Sequence, residues 1–365
     1  MKKSILFIAL ATVLSAPTVS IAAPTVYGNV HISLNQGGND VAGAENNLTL
    51  SSNTSAIGIK GSEDLGDGVK VIYKVEFQVN LLEPATTLPS IDPTDSTDSA
   101  PREGQGDLEG RDQFAGIKFG IGVLKAGTMS TNYKQTGEKV DPLYRTPLEA
   151  RGFLKTQSAV LHDTRRGINR GRQTNTLQYV SPNLSGVRVV ANTTFSGSNG
   201  ETSGIGIRWQ NKTWLVYADW INSQTGDLND AIDPGKSVAK CDTTTNCSVE
   251  SAYKYGGSYK TKDFFVSLQY EAAENRTGGN YLFGSAYYNF NKNNQMIFTA
   301  GQYSAKDSVT DSDSKGYALA YNHKMSKLAN LYVGYGVKSS AKDISTGLPS
   351  AGDESMLTMG VRKRF

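Results

Sequence analysis

The sequence is short of the residues that build most enzyme sites. Its 365 residues hold only two cysteines and three histidines. His31, His162 and His323 lie far apart, without zinc-type spacing, and no Gly-x-Ser-x-Gly elbow is present. No metal or cofactor is implied. An enzyme is the remote reading, resting on His162-Asp163 with no nucleophile beside it. Past the first residues no stretch offers eighteen consecutive apolar residues, which excludes a helical membrane span there. The balance of 37 basic and 34 acidic residues gives no argument for nucleic acid.

The start of the chain reads as an export signal. Met1-Lys2-Lys3 is cationic, Ile5–Leu14 is apolar, and Ser20-Ile21-Ala22 places small residues where a signal peptidase reads. Cleavage after Ala22 is expected, leaving residues 23–365 as one domain. The apolar run is too short to cross ~30 Å of hydrocarbon as a helix.

What remains is polar, with 38 glycines, 18 tyrosines and a mean hydropathy of −0.38. A large β-barrel suits such a chain, because only alternate strand residues need be apolar. The end of the chain shows the pattern. In Ser355–Phe365 one alternating set is Leu357, Met359, Val361, Lys363 and Phe365, and the other includes Gly360, Arg362 and Arg364. Lys363 breaks the apolar set and is tolerable at the membrane interface, where its stem can snorkel.

Similar runs recur at Thr25–Leu34, Thr54–Gly61, Val69–Val79, Asp112–Phe119, Val123–Thr128, Thr174–Tyr179, Val187–Phe195 and Gly204–Trp209. They continue at Thr213–Trp220, Ala252–Lys260, Phe264–Glu271, Tyr281–Phe290, Gln295–Tyr303, Lys315–His323, Ala329–Val337 and Ser355–Phe365. The fold expected is all-β, a transmembrane antiparallel barrel of about sixteen strands. Turn-rich connections such as Gly120-Ile-Gly122 and Gln210-Asn-Lys212 alternate with long segments such as Asn80–Arg111, Met129–Gln173 and Ile221–Ser251. Short turns on one side and long loops on the other are the outer-membrane arrangement.

Several of these stretches resemble one family, the trimeric general porins of Gram-negative bacteria of neisserial and betaproteobacterial type. They are Val26-Tyr27-Gly28, Ile57-Gly-Ile-Lys-Gly-Ser-Glu-Asp-Leu-Gly-Asp-Gly-Val-Lys70, Phe114-Ala-Gly-Ile-Lys-Phe-Gly120 and Leu124-Lys-Ala-Gly127. Asn175-Thr-Leu-Gln-Tyr-Val-Ser-Pro-Asn-Leu-Ser-Gly186 and Gly360-Val-Arg-Lys-Arg-Phe365 complete the set. The resemblance implies sixteen strands, a homotrimer, integral outer-membrane localisation, and a long third loop folded into the pore as a constriction. It also implies that Phe365 is the signal read by the outer-membrane assembly machinery.

Alternation nominates the pore lining independently. Lys60, Lys70, Lys74, Lys118 and Lys125 fall on the parity opposite to the apolar set, forming a basic wall. A lysine facing hydrocarbon at mid-membrane would cost ~2–4 kcal/mol. The loop Met129–Arg170 carries eight basic and four acidic residues. Gly137-Glu-Lys-Val-Asp-Pro142 resembles the family's constriction segment, which nominates Glu138 and Asp141 as an acidic side facing the lysines. Arg165, Arg166, Arg170, Arg172, Arg362 and Arg364 are candidate mouth or lumen cations, and some have the alternative role of binding lipopolysaccharide.

The expected function is a water-filled passive channel for small hydrophilic solutes and ions, mildly preferring anions. A second reading is a substrate-specific porin, for phosphate or another anion. A sugar channel is disfavoured, because Tyr73, Phe77, Phe119 and Phe365 fall on the lipid-facing parity. In Asn80–Gly110 seven carboxylates face Arg102 alone, and Asp92, Asp95 and Asp98 are a weak calcium candidate without the glycine and glutamate of a dedicated loop. Cys241 and Cys247, close together in an exported chain, are expected to form a disulfide.

Overall fold

Residues that alternate between apolar and small or polar can bury one set only in a sheet, and a sheet in a membrane must leave no edge. The computed structural model describes residues 20–21, 23–39, 47–82, 108–162, 171–195, 202–223, 251–273, 279–305, 313–340 and 353–365. Within them sixteen strands close into one antiparallel barrel. β1 is Thr25–Asn39, and β2 comes in two pieces, Leu48–Ser52 and Ala56–Gly66. β3 is Val69–Val79, β4 Leu108–Phe119, β5 Gly122–Ser130, β6 Arg172–Val180, β7 Val187–Thr194 and β8 Thr202–Gln210. β9 is Trp214–Ser223, β10 Ser251–Lys260, β11 Phe264–Ala273 and β12 Gly279–Asn289. The last four are β13 Asn294–Ala305, β14 Ser314–Lys324, β15 Ala329–Ser340 and β16 Glu354–Arg364. A two-residue strand, Ser20–Ile21, pairs with Glu63 and Asp64.

β16 returns to β1, with Arg364 opposite Asn29, and this pairing removes both edges. Phe365 extends the seam. Its N–H donates to Gly28 O, and the Gly28 N–H donates back to Phe365 O, each at 3.1 Å. The Phe365 ring lies so close over Gly28 that a Cβ there would sit 2.6 Å from a ring carbon.

β14 displays the division of faces. Ser314, Gly316, Ala318 and Ala320 are buried, while Lys315, Tyr317, Leu319 and Tyr321 are exposed. The exposed set around the barrel is Ile, Leu, Val, Tyr and Phe, a surface matched to hydrocarbon. The inward set includes fully covered polar residues, among them His31, Gln178, Lys254, Glu271 and Thr358.

Strands run further than their apolar residues indicate. β1 reaches Asn39 and β4 starts at Leu108, since pairing continues where both faces are polar. β2 is interrupted at Asn53–Ser55, where Thr54 has φ 57° and the Asn53 amide donates to Ser33 Oγ at 2.8 Å. Asp67 and Gly68 take φ of 50° and 77°, the type I′ geometry that suits a two-residue hairpin.

Between β5 and β6 the segment 131–162 packs against the inward residues of the barrel. It holds two helices that the sequence pattern did not reveal, α1 (Asn132–Val140) and α2 (Ala159–His162). Thr131 caps α1 by accepting the Lys134 N–H, and Lys134 pairs with Glu138 one turn on. Three apolar clusters fix the segment. Tyr133 and Leu161 meet Ile221, Ala252 and Ala273; Val140 and Ala150 meet Leu215, Tyr217 and Phe283; Leu143, Leu148 and Leu154 meet Ile297, Ala318 and Ala320. Burying each large side chain contributes about 1.5–3 kcal/mol. Inward glycines make the room. A Cβ on Gly204 would lie 2.3 Å from Asn132 Oδ1, and one on Gly316 would lie 2.7 Å from Leu154 O.

Candidate functional site

The five lysines of the basic wall share one face of β2–β5, by register: Lys60 lies opposite Lys74, Lys70 opposite Lys118, and Lys125 opposite Gly116 beside them. Their surroundings differ. Lys70 pairs with Asp64 at 2.6 Å, and Lys74 sits 3.1 Å from both Glu76 and Asp112. Lys60 stacks over the Tyr27 ring at 5.0 Å, and Lys125 donates to Gln178 Oε1 at 2.7 Å. Lys60, Lys118 and Lys125 form no ion pair among the described residues.

A cluster of both signs lies beside them, and the sequence pattern missed most of it. The β3–β4 register shifts between Val75 and Phe77. That bulge lets two consecutive residues, Arg111 and Asp112, reach the same inward cluster. Arg111 Nε donates to Glu76 Oε1 at 2.6 Å, and Tyr27 Oη donates to Glu76 Oε2 at 2.7 Å. Arg172, a candidate mouth cation, donates to Asp112 Oδ1 at 2.8 Å, a carboxylate it shares with Lys74. Arg111 precedes the apolar alternation of its strand, so no periodicity pointed to it.

The acids nominated in the loop are occupied within the loop. Asp141 accepts the Leu143 and Ala150 N–H groups, each at 2.9 Å, and is 4% exposed. Burial pushes its carboxyl up to about 7. Glu138 accepts from Tyr144 Oη and pairs with Lys134 at 3.1 Å. Burial in turn lowers Lys134 to about 7. Lys134, Arg145 and Arg151 surround the Tyr144 ring at 5.4, 5.3 and 5.0 Å. Arg145 holds φ at 67°, an uncommon conformation for a side-chain-bearing residue, and its N–H donates to Glu149 Oε2 at 2.9 Å.

This stretch lies between two cavities. One, of about 820 Å³, is bordered by Asn35, Gln78, Glu109 and Arg145; the other, of about 440 Å³, by His31, Tyr144, Arg362 and Arg364. Thr146 borders both. The second cavity also touches Lys324 and Lys327 beside the short β14–β15 turn, so it lies at the turn end.

A polar latch holds α1 to the wall. Asn132 Nδ2 donates to Asp219 Oδ1 at 3.0 Å, Thr136 donates to the other oxygen, and Tyr133 Oη donates to Glu271 at 3.0 Å. Lys254 donates to Tyr133 O and lies 3.1 Å from His162 Nε2. Arg165, Arg166, Arg170, Cys241, Cys247, Asp92, Asp95 and Asp98 lie outside the described residues.

The aromatic parity argument needs correction. Tyr27, Tyr217, Phe265, Tyr281, Phe283, Tyr287 and Tyr332 all fall on the inward parity. Tyr73, Phe77, Phe119 and Phe365, on which that argument rested, do not represent the rest. Tyr217 and Phe283 are nonetheless covered by the loop, at 3% and 1% exposure, and offer no open track.

Comparison with known proteins decides the family. The model of the Gram-negative porin family matches residues 8–343. The chain belongs to that family. It is 26% identical over 240 residues to the major outer membrane protein P.IB of Neisseria meningitidis, covering 63% of this chain and 62% of that one. The match therefore spans about three fifths of that relative's length. Among solved structures, the anion-selective porin of Comamonas acidovorans superposes with a TM-score of 0.68 at 17% identity, covering 94% and 99% of the two chains. OmpT of Vibrio cholerae in its trimer form gives 0.64 at 15%, covering 95% and 100%. These likenesses show the fold, a closed sixteen-strand barrel, and this porin is an integral protein of the outer membrane.

Proposed function

We propose that this porin is a water-filled passive channel for small hydrophilic solutes and ions, with a mild preference for anions. One observation carries the reading. On the described inner face Glu109, Asp219 and Glu271 form no ion pair with a lysine or arginine, against Lys60, Lys118, Lys125, Arg188, Arg208, Arg362 and Arg364, so unpaired cations outnumber unpaired carboxylates there. An excess of fixed cations raises the local concentration of anions. In this reading the segment 131–162 is the constriction, Thr146 marks the narrow level between two vestibules, and the loop-side cation Arg145 faces the wall. The nominated carboxylates serve to shape the loop rather than to form an opposite wall. The Comamonas relative, named as anion-selective, supports the sign.

The same reading includes assembly as a homotrimer, Phe365 as the assembly signal, and removal of residues 1–22 on export. No catalytic role is assigned: each histidine serves a local contact, His31 with Tyr332, His162 with Ser158, and His323 with Asn294. Planar-bilayer recording of the refolded protein tests the function. Ohmic unitary steps arriving in threes support it, and a protein that inserts yet passes no current sinks it.

A further inference from the structure

Between α1 and the turn ends of β7 and β8 lies a cavity of about 480 Å³. Four cations border it: Lys139 from α1, Arg188 from β7, Arg208 from β8 and Lys212 from the turn after β8. No carboxylate lines it. None of the four takes part in an ion pair among the described residues.

Arg188 and Arg208 are direct cross-strand partners. Like charges so placed repel and destabilise the sheet unless something between them answers the charge. Arg208 directs two N–H groups at neutral acceptors, Gln135 Oε1 at 3.1 Å and Asn132 O at 3.0 Å, and its Nε is buried without a partner. Lys139 donates to Gln210 Oε1 at 3.2 Å, another neutral group. Asp219 and Glu138 act on Arg208 through space, but both already accept hydrogen bonds from the latch and from Tyr144. The C-terminal end of α1 favours Lys139 through the helix dipole, yet it gives no reason for three further cations on the wall.

The geometry points to an oxyanion site in this cavity, in which Lys139, Arg188, Arg208 and Lys212 hold a phosphate-type dianion. A guanidinium fork matches two oxygens of a tetrahedral anion, and a lysine adds charge without demanding geometry. Chloride offers one charge and no directional acceptors, so it fits less well. The site deepens the channel reading, on which it rests for access of solute. It gives the pore a saturable resting place for phosphate at the turn end, connected to Lys125 of the wall through Gln135 and Gln178.

Calorimetric titration of the purified, refolded protein with inorganic phosphate at constant ionic strength tests it. Wild type is expected to show saturable binding. Arg188→Gln is expected to weaken it roughly tenfold or more, the effect of one charge-assisted bond. Lys212→Gln removes an exposed cation and is expected to weaken it about twofold to fivefold. Lys292→Gln, in a turn at the same end but outside the cavity, is expected to leave it unchanged. Absence of saturable heat overturns the site, as does undiminished affinity in Arg188→Gln or equal weakening in all three variants. Calorimetry needs no flux. A protein that binds phosphate in this way but passes no current would sink the channel reading and leave the site standing.

Discussion

Lys254 lies directly opposite Glu271 on the neighbouring strand, and both are fully buried beneath Tyr133 of the loop helix. No ion-pair contact joins them, but the Lys254 charge acts on Glu271 through space, so removing Lys254 leaves a buried carboxyl group uncompensated. Lys254→Met is therefore expected to destabilise the barrel by about 3–5 kcal/mol, whereas Lys254→Met with Glu271→Leu should recover most of that loss. Urea unfolding of vesicle-inserted protein measures both.

His162 makes the latch sensitive to acid. Around it stand Lys254 at 3.1 Å from Nε2, Glu271 at 3.7 Å from Nδ1, and Lys134 and Arg151 on its carbonyl oxygen. Burial first, and then the Lys254 charge, holds its imidazole well below the usual 6.5. The unfolded chain then binds the extra proton, so His162's contribution is present above pH 6.5 and is lost as pH falls, by ~1.4 kcal/mol per unit. Asp141 works in the opposite sense. Its carboxyl, raised from 3.8 to about 7, favours the folded state in acid and loses that contribution as pH rises towards 7. The wild-type profile is therefore flattened. The His162 effect is read as the difference from His162→Gln: between pH 7.5 and 5, wild type should lose stability relative to the variant.

Gly206 faces the same latch. A Cβ there would lie 2.0 Å from Asp219 Oδ1 and 3.3 Å from Asn132 Nδ2. Gly206→Ala should displace α1, cost roughly 1–3 kcal/mol as overpacking does, and increase open-channel current noise. Unfolding midpoints and single-channel recording would show both effects, while normal noise would mean that α1 does not depend on this contact.

The outer face gives a depth-dependent expectation. Leu319 and Val333 point outwards from adjacent strands, at 52% and 42% exposure. Lysine at either is expected to cost ~2–4 kcal/mol if the position lies near the bilayer midplane. Folding titrations into vesicles, compared with lysine at inward Asn322, which borders the cavity at the turn end, measure the contrast.

The barrel was legible in the sequence because its rule is local: alternate residues meet lipid, and turn residues mark the hairpins. The register of Lys60, Lys70, Lys74, Lys118 and Lys125 followed from that rule. Arg111 and Asp112 escaped it, because a bulge breaks parity and both precede the apolar part of their strand. The roles of Glu138 and Asp141 escaped as well. Sequence marks a carboxylate but not the backbone N–H groups that Leu143 and Ala150 turn towards it. The inward aromatics were misjudged from Tyr73, Phe77, Phe119 and Phe365, because Tyr217 and Phe283 pack against Val140 and Ala150 of the loop, which the pattern of their own strands does not mark. Composition showed 38 glycines without showing that Gly204, Gly206 and Gly316 clear space for that loop.

The central claim is that unpaired cations on the inner face set the sign of the pore. Reversal potential in a tenfold KCl gradient tests it most directly. Wild type should reverse on the chloride side of zero, and Lys60→Glu with Lys118→Glu and Lys125→Glu should move the reversal towards the potassium side. A wild-type channel that reverses on the potassium side would contradict the account.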